Sequence, residues 1–438
     1  MFVTAEVATS TTIDRSMRRH RIRVMLAITI GYGMYYTCRL ALSVVKKPLI
    51  DEGIFTIEEL GAIGAALFYG YAFGKFFNGF LADHARPRLF FTAGLCLSAL
   101  VNLFMGWSTL VVLCVALWAL NGWFQGFGAP SSVVSLTNWF SNHERGRYYG
   151  IWSGGHFIGE GITFYVIAAV VASLGWRYGY WAPGVLCLLA AVWVYRFLQD
   201  KPETLGLPNI ADWKDDHWDS AAKTDEATST WAVQKSIFAI PALWVLASAS
   251  ATMYITRYAI NSWGILYLQE ARGYSLVEAG FFLSINTMAG LVGAIAYGFI
   301  SDKLFDARRP PSNLLFAIIE LVALAVIFYG PTNSYVLGAA FILYGIGLSG
   351  LLTAIGGLFA VDIAPSRVAG AAMGFIGVFS YFGAAVQENV SAHLIDAGVS
   401  IVDGVRIYDF SSAILFWIGC SVLSMVLAAS LWRAKVRD

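Results

Sequence analysis

Runs of roughly twenty mostly apolar residues recur along nearly the whole of this chain. At about 1.5 Å per helical residue, each run crosses a hydrocarbon layer about 30 Å thick. They lie near 22–47, 58–82, 88–106, 109–139, 147–174, 178–198, 237–269, 277–302, 313–330, 334–362, 367–395 and 409–432, which predicts twelve transmembrane helices and an all-α membrane protein. Charged residues make up 13% of the 438, against about 25% in soluble domains, so a soluble enzyme is excluded. A formal net charge of +1 offers no field to recruit nucleic acid. Cys38, Cys96, Cys114, Cys187 and Cys420 all fall inside apolar runs and read as small packed residues. No metal-ligand spacing, phosphate loop or nucleophile with a base is present, so neither catalysis nor a cofactor is expected.

The long polar insert at 199–236 divides the spans into two sets of six. The expected organisation is an N-terminal six-helix bundle over 1–198 with a basic tail, a cytoplasmic linker over 199–236, and a C-terminal six-helix bundle over 237–438. The tail carries Arg15, Arg18, Arg19, Arg21 and Arg23 with no small-residue cleavage site behind them, so a cleaved signal peptide is not expected. With the tail in the cytoplasm, 21 of the 29 basic residues fall in inward loops and tails, and five, Lys46, Lys47, Arg177, Arg272 and Arg406, in outward loops. The positive-inside rule then places both termini in the cytoplasm. Three cations belong to no loop: Arg39, Lys75 and Arg257.

The two sets are copies. Gly79-Phe80-Leu81-Ala82-Asp83 recurs as Gly298-Phe299-Ile300-Ser301-Asp302 at an offset of 219, and Arg147-Tyr148-Tyr149-Gly150 recurs as Arg367-Val368-Ala369-Gly370 at 220. Arg39 and Arg257 are 218 apart. The first turn is followed by Arg86 and Arg88, its copy by Lys303, Arg308 and Arg309. Together they resemble the loop signature of the major facilitator superfamily, which lies between helices 2 and 3 and between helices 8 and 9. The resemblance implies twelve helices in two pseudo-symmetric six-helix bundles.

A cation at helix centre costs about 2.5–3.5 kcal/mol to insert, so such residues face a wet cavity or a partner. Arg39 and Arg257, related by the repeat, are expected to face one another at equal depth and to divide a phosphate dianion between two planar forks. The competing possibility is that each snorkels or pairs with a buried carboxylate. Glu160 and Glu388 are the candidate gating or charge partners, and Glu320 is expected to pair or tilt outward. Lys75 and His156 lie at similar depth, where an ammonium and an imidazole support phosphate binding unless Lys75 snorkels and His156 merely packs. Tyr32, Tyr35, Tyr36, Tyr254 and Asn261 accompany the arginines at helical spacing, and Asn121 and Gln125 add amides suited to hydroxyls.

Several stretches are similar to the organophosphate:phosphate antiporter family, in its bacterial hexose-phosphate transporter and sensor branch. They include Tyr35-Tyr36-Thr37-Cys38-Arg39, Phe68-Tyr69-Gly70 with Lys75, Leu120-Asn121-Gly122-Trp123-Phe124-Gln125-Gly126, and Gly154-Gly155-His156. Further ones are Leu205-Gly206-Leu207-Pro208, Arg257-Tyr258-Ala259-Ile260-Asn261-Ser262-Trp263-Gly264 and Gly370-Ala371-Ala372-Met373-Gly374-Phe375. The resemblance implies phosphate contacts from Arg39 and Arg257 with Lys75 and His156, and rocker-switch exchange of a sugar phosphate, such as glucose 6-phosphate, for inorganic phosphate. It also implies a monomer in the bacterial inner membrane. The sequence departs from the family at Leu40, where a second basic residue is common, at Ser262, where an acidic residue is common, and at Gly345-Ile346-Gly347, which replaces a Gly-Pro motif. Two other functions fit the same fold: a sensor of external hexose phosphate that signals to a membrane kinase, and a proton-coupled carrier of neutral sugars using Glu160 or Glu388.

Overall fold

The computed structural model describes residues 2–216, 236–306, 308–364 and 368–434. The side chains of 2–11, Phe76, Phe80, Asp83, Val361 and Ala369 lie outside the description, as do Arg367 and residues 217–235 of the expected linker.

Among the described residues, twelve long helical segments lie over the expected spans. The first six are α1 (Phe2–Asp51), α2 (Ile57–His84), α3 (Pro87–Met105), α4 (Val111–Gln125, resuming as Gly128–Trp139), α5 (Asn142–Leu174) and α6 (Tyr178–Phe197). The second six open with α7, which runs Pro241–Tyr258, passes a π turn at Ala259–Trp263 and resumes as Gly264–Glu270. Then come α8 (Leu276–Leu304), α9 (Arg309–Tyr329), α10 (Ser334–Thr353, a π turn at Ala354–Leu358, then Phe359–Ile363), α11 (Ala369–Ala397) and α12 (Ser411–Ser430). Among the described residues, nine helices are long and apolar enough to cross a bilayer. The nine do not include α1, α2 and α7, which hold Arg39, Lys75 and Arg257.

Local sequence explains where the helices begin. The Thr56 hydroxyl accepts the Glu59 N–H at 3.2 Å while the Glu59 carboxylate accepts the Thr56 N–H at 2.8 Å. Ser275 and Glu278 repeat this capping box at the start of α8, 3.3 and 2.9 Å, at the 219-residue offset of the repeat. Proline opens α3, α7 and α9, where its missing N–H costs nothing.

Packing repeats as well. In the first half α1 lies against α5 and α6, α2 against α4, and α3 against α4 and α6; in the second, α7 lies against α11 and α12, α8 against α10, and α9 against α10 and α12. Each pairing maps onto the other by adding six. Glycine permits the closest crossings: a Cβ on Gly122 would sit 2.0 Å from the Leu67 carbonyl oxygen, and one on Gly345 would sit 2.0 Å from that of Asn286. This gives Gly345-Ile346-Gly347 a packing role without proline.

The halves meet through α2 with α11, α5 with α8, and α1 with α7. Two of these seams include close approaches to main chain. A Cβ on Gly61 would lie 2.9 Å from the Glu388 carbonyl oxygen of α11, and one on Gly280 would lie 2.5 Å from that of Phe164 on α5. One feature was not foreseen. Between α11 and α12 the chain forms an antiparallel hairpin, β1 (Val399–Val402) and β2 (Val405–Tyr408), turning on Asp403 and Gly404 with positive φ.

Candidate anion-binding cavity between the halves

One face of α1 carries Tyr32, Tyr36, Arg39, Ser43 and Lys46 at spacings of three and four. Arg39 is 4% exposed. Its guanidinium carbon stands 4.6 Å from the ring centre of Tyr36 and 4.3 Å from that of Tyr71 on α2. Among the described residues no carboxylate pairs with it, and its Nε and Nη1 have no hydrogen-bond partner.

Arg257, 5% exposed, occupies the equivalent place on α7, beside Tyr258 (5.2 Å) and Tyr254 (5.7 Å). Its setting differs from that of Arg39. Arg257 Nη2 lies 3.4 Å from Glu160 Oε2 on α5, and Asn261 Nδ2 donates to Glu160 Oε1 at 2.6 Å. The repeat thus predicts matching depth but not matching charge: one arginine is engaged by a carboxylate of the opposite half and the other is not.

Aromatic rings connect the two cations. Tyr71 stands 4.3 Å from Tyr381 of α11, and Tyr381 stands 5.3 Å from Tyr254. The Lys75 ammonium lies 5.6 Å from the Tyr381 ring centre, beside this wall. Phe68 closes the other side, 4.3 Å from Tyr258. The sequence reading overlooked Tyr71, Tyr258 and Tyr381. A signal existed for each: Tyr71 is one turn before Lys75, Tyr258 adjoins Arg257, and Tyr381 is two turns before Glu388.

His156 faces the same space, its ring 5.2 Å from Tyr36 and 6.4 Å from Tyr32, whose own ring lies 4.7 Å from Trp152. Its Nδ1–H donates to the Ser153 carbonyl at 2.5 Å. That bond fixes the tautomer. A neutral ring therefore offers only an acceptor at Nε2, suited to a hydroxyl, and donates to an anion only as imidazolium.

Three expected ligand contacts need correcting. The Tyr35 hydroxyl donates to the Phe91 carbonyl of α3 at 2.7 Å. Asn121 donates to the Cys38 carbonyl at 3.1 Å and accepts from Ser98, and Gln125 donates to the Tyr35 carbonyl at 2.9 Å and to Ser98 Oγ at 2.8 Å. These residues fasten α3 and α4 to the back of α1, because an amide with no water nearby must find partners within the protein. They do not face the cavity.

Glu388 differs from expectation as well. Its Oε2 lies 2.9 Å from the Nζ of Lys46, which also donates to Ser262 Oγ at 2.7 Å and sits 3.4 Å from the Trp263 ring centre. Lys46 was assigned to an outward loop, but α1 continues past it to Asp51 and the residue is 1% exposed. Lys46 is therefore buried, as Arg39 and Arg257 are. Leu40 and Ser262 are uncharged, and the buried ion pair beside Ser262 joins Lys46 to Glu388. A void of about 10 Å³ separates the pair from Arg39, lined also by Ser43, Gly64, Tyr258 and Ser262.

Beyond this pair, the face opposite the termini is shut by further contacts between the halves. Lys47 bonds Glu270, His393 Nδ1 lies 3.0 Å from Glu58 Oε1, and Arg406 of β2 donates to the Ile50 carbonyl at 3.0 Å. Glu320 is buried on α9 with one oxygen unbonded, and it neither tilts outward nor pairs with a cation among the described residues. In the signature turns, Arg86 and Arg308 are exposed residues that precede α3 and α9. It is Arg309 that binds Asp302 (3.2 Å) and Asp362 (2.8 Å), tying together the ends of α8, α9 and α10. The Asp83 side chain lies outside the described residues.

Comparison with known proteins agrees with this architecture. Residues 25–387 match the Major Facilitator Superfamily. The chain is 31% identical to a probable hexose phosphate transport protein of Chlamydia pneumoniae, over 99% of this chain and 96% of that one. It is 33% identical to the membrane sensor protein UhpC of Salmonella typhimurium, over 86% and 85%. The fold matches the crystal structure of a bacterial homolog of the human lysosomal transporter Spinster, inward-facing and unoccupied, with a TM-score of 0.73, 16% identity, and coverage of 94% and 96%. This is a multi-pass membrane protein and not an enzyme. Its helices, its repeat and its relatives agree that the chain belongs to the major facilitator superfamily, in the hexose-phosphate branch of the organophosphate:phosphate antiporter family.

Proposed function

We propose that this chain carries organophosphates, hexose 6-phosphate foremost, across the bacterial inner membrane in exchange for inorganic phosphate. Residues 1–198 and 237–438 would rock about the cavity, joined by a linker over 199–236, with both termini in the cytoplasm. The observation that carries this reading is Arg39, whose guanidinium is buried, free of any carboxylate among the described residues and unbonded at Nε and Nη1. Burying an unpaired ion costs several kcal/mol, so such a group is suited to an anion that arrives from outside the chain. Its fork matches phosphate oxygens, Arg257 takes the remaining charge, and Lys75 adds a point charge. Tyr32, Tyr36 and Tyr254 supply ring faces and hydroxyls for the sugar, while His156 Nε2 accepts from a sugar hydroxyl or, protonated, donates to phosphate. Cargo that bridges both halves favours closure around itself, which couples movement to loading.

The chlamydial relative supports a phosphate ester as cargo. The Salmonella relative favours a second reading, a sensor that binds hexose phosphate and signals through a membrane kinase. Purified protein in phosphate-loaded liposomes tests both. We expect glucose 6-phosphate uptake accelerated by internal phosphate, and a loss of at least about 100-fold in Arg39→Lys, because an ammonium cannot replace a two-pronged contact. Binding without any exchange would point to the sensor. Uptake driven by a pH gradient and retained in Arg39→Lys would point to a proton-coupled sugar carrier.

A further inference from the structure

Glu160 and its two partners belong to opposite halves of the molecule. The carboxylate comes from α5, while Arg257 and Asn261, one turn apart, come from α7. With Arg257 Nη2 at 3.4 Å from one oxygen and Asn261 Nδ2 at 2.6 Å from the other, the carboxylate bridges the halves through the same guanidinium that the exchange reading gives to cargo. The backbone holds it there: a Cβ on the preceding Gly159 would come within 2.4 Å of the Gly33 carbonyl oxygen, so α5 presses on α1 at this level. Thr163 Oγ1, one turn further along, donates to Thr37 Oγ1 at 3.0 Å.

A carrier limited to strict exchange cannot close when empty, because closing would bury its cations without an anion. This chain has its own anion at one of the two arginines. We infer that Glu160 stands in for cargo phosphate at Arg257, so that the empty protein closes and returns, and the chain carries out net one-way movement of organophosphate as well as exchange. Incoming phosphate displaces the carboxylate from Arg257, and the hydrogen bond from Asn261 keeps it from being stranded. Arg39 has no such stand-in among the described residues, so the empty return runs slower than the loaded step.

This inference rests on the exchange reading, and one experiment separates their failures. Liposomes containing the full chain and labelled glucose 6-phosphate are diluted into buffer with or without inorganic phosphate, with the potential held at zero by potassium and valinomycin. We expect efflux into phosphate-free buffer within about a hundredfold of the exchange rate, and a fall of at least tenfold in the ratio of net efflux to exchange in Glu160→Gln. Glu160→Asp should recover part of that ratio. Wild-type efflux no faster than from protein-free liposomes overturns the inference whether or not any variant folds. An unchanged ratio in a folded Glu160→Gln also overturns it. Efflux that external phosphate does not accelerate overturns the exchange reading while this inference stands, and no movement in either buffer overturns both.

Discussion

Replacing Lys46 with methionine tests whether the deep pair holds the far face shut. In the structure its Nζ lies 2.9 Å from Glu388 and 2.7 Å from Ser262, and both ends of the pair are 1% exposed. Removing one member of a buried pair costs about 3–5 kcal/mol, because the remaining charge is left without a counter-ion. The cost falls on the closed arrangement alone, since water reaches Glu388 once α1 and α11 separate. Ser262 can turn its hydroxyl toward the carboxylate, so the lower figure of about 3 kcal/mol is appropriate, and at about 1.4 kcal/mol per decade this favours the open form roughly 100-fold. Ser43→Cys provides a reporter, because residue 43 is buried beside the void between Arg39 and the pair. Its labelling by an impermeant maleimide, added on the face opposite the termini, should accelerate at least tenfold in Lys46→Met. Exchanging the charges, Lys46→Glu with Glu388→Lys, should return it toward the starting rate. Labelling within twofold of the starting rate in Lys46→Met would refute the reasoning.

Two further outcomes follow from the cavity and from the network behind it. Tyr71→Phe should keep glucose 6-phosphate binding within about threefold, whereas Tyr71→Ala should weaken it about tenfold, since the ring face positions Arg39 and a cation over an aromatic ring is worth about 1–2 kcal/mol when desolvated; titration calorimetry reads both. Asn121→Ala should lower the melting temperature, through loss of a buried amide worth about 1–3 kcal/mol, while leaving the relative KM of different phosphate esters unchanged. A change in ester preference would return Asn121 to the cavity.

The spans and the repeat were legible because the bilayer imposes length and apolarity on every helix, and duplication leaves its offset in the residues themselves. The rotation of a helix about its axis was less legible. Asn121 and Gln125 share a face, but their spacing does not tell whether that face meets water or the back of α1. Lys46 was misplaced for a related reason: a lysine near a predicted helix end looks like a loop residue until α1 is seen to continue past it with Glu388 opposite. The bond between Glu160 and Arg257 joins residues 97 apart on different halves, and no local pattern encodes such a meeting. The tyrosine wall was hidden by abundance, because 21 tyrosines compete for notice in a chain this rich in aromatic residues.

The bare backbone at Gly61 and Gly280 affects how the halves come apart. At these two points neither glycine has a side chain to withdraw, so the seams part there freely, leaving ring contacts such as Tyr69 with Phe382 and Tyr165 with Phe281, together with the charged contacts, to decide when. A single methyl group at either position would act as a wedge, propping the seam ajar without altering any charge, and would show how much of the latch is shape alone.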